Sequence, residues 1–148
     1  DISRLKMAVL FQMTYVGTPH IWYGDEIGMM GAHDPDCRRP FDWSYTSNNQ
    51  KVELRDFYKK LIHIRKKFSS LRTGIFKTLY VDGMVYAYLR EDEESSIVVV
   101  INNDTKSNKI SIPYINSDKV NLIDGKKYSI KDSILEIELD AMTGAILK

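Results

Sequence analysis

The hydrophobic period of this chain switches once, from about 3.6 residues to 2, just after "SSLRTG" at residues 69–74. Downstream of the switch only a β fold fits. "FKTLYV" and "MVYAYLRE" flank Asp82-Gly83, a dipeptide that favours a two-residue hairpin turn. "SIVVVIN" reads as a buried strand, and "NKISIP", "KVNLI", "KYSI", "ILEIEL" and "GAILK" follow as short runs, with Asp124-Gly125 as a second tight turn. About eight strands in some 75 residues predict an antiparallel sandwich or barrel. The boundary falls at Arg72 to Gly74, dividing the chain into residues 1–73 and 74–148.

Upstream, Leu54, Phe57, Tyr58, Leu61, Ile62 and Ile64 form a broad apolar stripe on a helix expected over Gln50 to Phe68, capped by Asn48 or Asn49. Its charged residues, Arg65 among them, are expected on a solvated face, with basic residues at the negative end of the helix dipole. An earlier helix, capped by Asp1 or Ser3, runs to about Tyr15 and is apolar nearly all round. Gly17, Thr18 and Pro19 stop it. His20 to Tyr23 is short, aromatic and β-branched and reads as a buried strand, and Gly28 to Asn49 reads as one long loop of about 20 residues.

One strand cannot make a sheet, and one strand with two helices covers an all-apolar helix poorly. A strand flanked by helices is the unit of a parallel α/β sheet. Residues 1–73 are therefore expected to be the last unit of a larger α/β domain. An opening at Asp1, already helical and without a methionine, suggests a piece of a longer protein.

Charge excludes some partners. With 21 basic and 20 acidic residues the net charge is +1, which offers neither nucleic acid nor an anionic membrane a favourable surface. The lone Cys37 rules out an intramolecular disulfide framework and leans toward a reducing compartment such as the cytoplasm. His20, His33 and His63 are scattered without an i, i+4 pair, so neither a metal nor another cofactor is expected.

"HIWYGDEIGM" presents two adjacent acids, Asp25 and Glu26. Glycosidase carboxyl groups face each other across the scissile bond, about 5 Å apart in retaining enzymes. Neighbours on an extended chain point to opposite faces, so this pair is expected to hold backbone N–H groups and a basic partner instead. "HDPDCRRP", residues 33–40, gathers two acids and two arginines. Forked donors beside carboxylate acceptors suit hydroxyl-rich ligands, although loop salt bridges account for the same residues.

"GTPHIWYGDEIGM" followed by "DPDCRRPFDW" resembles the α-amylase family, glycoside hydrolase family 13, and with "RLKMAVLFQMTYVGTP" it looks most like the neopullulanase and cyclomaltodextrinase branch. The resemblance implies an α/β plus all-β chain: the last βα unit of a (β/α)8 TIM barrel, then an antiparallel β-sandwich. Residues 20–23 would be its eighth strand and residues 28–49 its eighth βα loop, at the face where TIM-barrel active sites lie. The family's catalytic carboxylates (an aspartate nucleophile, a glutamate acid/base and a stabilising aspartate) would all precede Asp1, so no catalytic residue is expected here. The D-P-x-x-R-like segment implies sugar contacts at Asp34 and Arg38. The partner implied is an α-glucan oligosaccharide or polysaccharide, and the truncated barrel portion is expected to expose apolar surface or to self-associate. The competing readings are a non-catalytic carbohydrate-binding or stabilising β-sandwich module and an interaction module.

Overall fold

The computed structural model describes residues 2–114 and 117–148. Three helices, α1 (Ile2–Thr14), α2 (Asn49–Lys67) and the single turn α3 (Ser70–Thr73), precede nine strands among the described residues. These are β1 (Ile75–Asp82), β2 (Val85–Glu91), β3 (Ser96–Asn102), β4 (Asn108–Pro113), β5 (Lys119–Val120), β6 (Lys127–Tyr128), β7 (Ile130–Lys131), β8 (Ile134–Leu139) and β9 (Thr143–Leu147). All pairings are antiparallel, in sheets ordered β1-β2-β3-β9, β4-β8-β7 and β5-β6. The extra strand arises because "KYSI" splits into β6 and β7.

The four-stranded sheet is the middle of three layers. Val85, Ala87 and Leu89 of β2 and Val98 and Val100 of β3 face β4 and β8, where Ile110, Ile112, Leu135, Ile137 and Leu139 close one core. Their neighbours along the chain, Tyr88, Ile97, Val99 and Ile101, face the helices and, with Ile146 of β9, close another with Met7, Leu10, Met13, Leu54, Leu61 and Leu71. Burial on both faces explains the unbroken apolar run of β3, whereas β8 shows one face to water and alternates Leu135-Glu136-Ile137-Glu138-Leu139. The second core also removes a difficulty: α1 is covered by α2, β3 and β9 rather than by further barrel strands. Gly144 lets it approach, since a Cβ there would lie 2.9 Å from Leu10 Cδ1 and 2.9 Å from the Val100 carbonyl oxygen.

Two buried arginines tie the helices to the sheet. Arg90 of β2, only 1% exposed, donates to the carbonyl oxygens of Thr14 (2.9 Å), Leu71 (3.1 Å) and Gly74 (3.1 Å). Arg65 donates to those of Met13 (2.9 Å), Tyr15 (3.1 Å) and Gly17 (2.6 Å). Two of these acceptors, Met13 and Thr14, are carbonyls that α1 leaves without an intrahelical partner at its negative end. Burial first, and then a neighbouring arginine (Arg72 for Arg65, Arg65 for Arg90), lowers both pKa values from arginine's usual value. Arg65 thus corrects the expected solvated face: counting from Leu54, Tyr58 and Leu61 it stands in phase with the apolar stripe.

Asn48 caps α2, its side chain accepting from Gln50 N (3.0 Å) and Lys51 N (3.3 Å). The expected capping role of Asp1 lies outside the described residues. His20 to Tyr23 is not a strand. A strand needs a neighbour to take its N–H and C=O groups, and among the described residues none lies beside it. The His20 carbonyl instead accepts from Gln12 Nε2 at 2.6 Å.

Candidate functional site

The segment between α1 and α2 is irregular, punctuated by 3₁₀ turns at Asp25–Ile27, Asp36–Arg38 and Trp43–Ser47. Gly24 opens the first turn at φ 93°, and a Cβ there would lie 2.6 Å from Met29 Sδ. The adjacent acids brace this turn. Asp25 Oδ2 accepts from Trp22 N (3.0 Å) and Glu26 Oε2 from Gly24 N (2.9 Å). Among the described residues no basic side chain forms an ion pair with either, so that part of the expectation fails. Ile27, fully buried, plugs the turn into the core beside α2. Tyr58 of α2 has its pKa pushed up to about 12, by burial first and then by the charges of Asp25 and Glu26.

Further along, "HDPDCRRP" forms two ion pairs. Asp34 Oδ1 lies 2.7 Å from Arg38 Nε, both side chains largely exposed at 60% and 72%. Asp36 takes a forked pair of hydrogen bonds from Arg39 (2.7 and 2.9 Å) and one from Ala32 N (2.7 Å). The Ala32 N–H, followed by Arg39, holds the Asp36 carboxyl below the usual carboxylate range. Asp42 accepts from Lys51 Nζ and Ser44 Oγ, each at 2.5 Å, and these bonds, Lys51 first, lower its pKa to about 2.

Between this segment and the first turn lies a cavity of about 210 Å³, lined by Trp22, Tyr23, Met30, Asp36 and Arg39 among others. Asp34 and Arg38 are brought together, but on the outer surface and not in that lining. The Asp36–Arg39 pair was legible as part of the same motif, at i, i+3 spacing. Aromatic side chains crowd the loop: Phe41 lies 4.7 Å from Trp43 between ring centroids, and Arg55 sits 5.2 Å above Tyr45. Chemically the loop offers forked donors, carboxylate acceptors and open ring faces. Such a set binds hydroxyl groups and C–H faces.

Residues 74–147 match the model of the family described as "Alpha-amylase C-terminal domain". The chain belongs to the α-amylase C-terminal domain family. Similarity to longer proteins extends through the helices and the loop. A cyclomaltodextrinase of Thermoanaerobacter pseudethanolicus is 43% identical over 130 residues, covering 88% of this chain and 21% of that protein. Neopullulanase 2 of Thermoactinomyces vulgaris is 38% identical over 150 residues, covering 98% of this chain and 25% of that protein. Among solved structures, an Anoxybacillus α-amylase superposes with a TM-score of 0.90 at 31% identity, over 99% of this chain and 32% of that one. The chain thus spans only a fifth to a third of these relatives.

Proposed function

We propose that this chain is the C-terminal part of a retaining α-glucan hydrolase of the neopullulanase and cyclomaltodextrinase branch. Residues 1–73 are the last βα unit of a (β/α)8 barrel and residues 74–148 its C-terminal β domain. The observation that carries this reading is the likeness of nearly the whole chain, loop included, to α-amylase-family enzymes several times its length. The exposed Trp22, Met30 and Trp43 on the helical side accord with it, because the eighth strand and loop of a barrel bury such residues against neighbouring units.

In this reading the chain binds glucan and does not cleave it. Asp34 and Arg38 contact sugar hydroxyls, their mutual ion pair opening to accept them, and the catalytic carboxylates come from elsewhere in the barrel. Incubation with pullulan or cyclodextrin is expected to release no new reducing ends, and appreciable turnover would contradict the assignment. In an NMR titration with maltotriose, signals from residues 33–39 are expected to shift, and Arg38→Ala to weaken that response about tenfold, as loss of one charged hydrogen bond predicts. The exposed apolar side chains also predict weak self-association, read out by light scattering.

A further inference from the structure

A second cavity, of about 280 Å³, lies at the seam where α1 and α2 meet the β5–β6 hairpin and the turn from β8 to β9. Met7, Leu10, Phe57, Leu139 and Met142 contribute apolar wall, and Gly144 leaves room beside Leu10. Two polar side chains in the lining are more than nine-tenths buried: Asn121 is 3% exposed and Tyr128 8%. Asn121 Oδ1 is fully engaged, accepting from Ile123 N (3.2 Å) and Ile146 N (3.1 Å). Those two N–H donors fix which end of the amide is oxygen. Its Nδ2, like the Tyr128 hydroxyl, has no hydrogen-bond partner among the described residues. Every fully enclosed side-chain nitrogen or oxygen among them has a partner, so both of these groups are open to solvent, on side chains that line the cavity.

An amide donor and a phenol with only solvent to bond, on two nearly buried side chains lining one cavity, are groups that a ligand can take over from water. The rim carries Asp124, Glu138 and Asp140, none in an ion pair among the described residues. Lys6 and Lys126 are the basic side chains of the lining, and Lys6 is paired with Glu53. An anionic ligand is therefore disfavoured. A neutral ring with hydroxyls at its edge and C–H groups on its faces matches an apolar wall, an amide donor, a phenol and carboxylate acceptors. We propose that this cavity is a second glucan site, holding one glucosyl unit of an α-glucan away from the loop of residues 28–48. The choice of an α-glucan rests on the functional reading above.

Asn121→Asp keeps an acceptor for Ile123 N and Ile146 N, replaces the amide donor by a carboxylate oxygen and adds negative charge beside Asp124, Glu138 and Asp140. In 15N-resolved NMR titrations, maltotriose is expected to shift signals of residues 6–10, 121–128 and 138–144 saturably, with affinity about tenfold weaker in Asn121→Asp. Asp140→Ala, on the exposed rim, should weaken it less. No shift at these residues, or the same affinity in Asn121→Asp, would overturn the site even if residues 33–39 respond. Equal binding of cellotriose would overturn the α-glucan assignment. Signals of residues 33–39 report separately on the loop reading.

Discussion

"SIVVVIN" and "HIWYG" are both short apolar runs rich in β-branched or aromatic residues, and they end in opposite states. The first is β3, sealed on both faces and paired on both edges with β2 and β9. The second forms no strand, and Trp22 and Tyr23 stand exposed. Composition does not separate them. What separates them is whether this chain supplies neighbours, since a strand is a property of pairing more than of the residues in it. The sealed sheet and the open loop should therefore respond differently to substitution, pH and ligand.

The largest effect is expected at the joint between helices and sheet. Arg90→Met strands the carbonyls of Thr14, Leu71 and Gly74 inside the molecule and should cost about 3 kcal/mol or more in urea denaturation. A loss under about 1 kcal/mol would mean the helices are only loosely attached. Gly144→Ala pushes a methyl against Leu10 and the Val100 carbonyl, and a loss of about 1–3 kcal/mol is expected from the same measurement. The β7–β8 turn should move the other way. Asp132 (φ 50°) and Ser133 (φ 61°) both sit in the left-handed region, so Asp132→Asn with Ser133→Gly should raise stability by about 1 kcal/mol.

Effects in the loop should be smaller. Asp42, with its pKa lowered to about 2, contributes stability that is fully present above the unfolded value of about 3.9. That contribution is lost as pH falls through about 2, so Asp42→Asn should flatten the acid limb of a stability profile between about pH 4 and 2. Trp43→Ala removes a ring that is 79% exposed and should change stability by no more than about 0.5 kcal/mol. A larger loss would show the loop to be better anchored than its packing indicates.

Much of the β domain was legible because its signals are local and its partners lie in the same chain. The Asp82-Gly83 hairpin forms with Asp82 opposite Val85, and the alternating runs become strands. The turn at Asp132-Ser133 was missed, since neither residue is the glycine or asparagine that marks such turns. Arg65 was misread because charge was weighed above helical phase, although i, i+4 from Leu61 places it on the buried stripe. Arg90, in phase with Tyr86 and Tyr88, carried the same signal. In the loop, the motif "HDPDCRRP" was visible, but which acid pairs with which arginine, and which pair borders a cavity, depends on backbone turns that the spacing does not determine. The seam cavity was not legible at all, because residues more than a hundred positions apart line it.

Native-state hydrogen exchange tests the central contrast most directly. If α1 and the β sheet share one core, amides of α1 and of β3 should exchange only through global opening, with the same free energy and the same urea dependence. Amides of residues 18–48 should exchange orders of magnitude faster. If α1 instead exchanges with the loop while β3 stays protected, the helices are not part of the sealed unit, and the three-layer account is wrong.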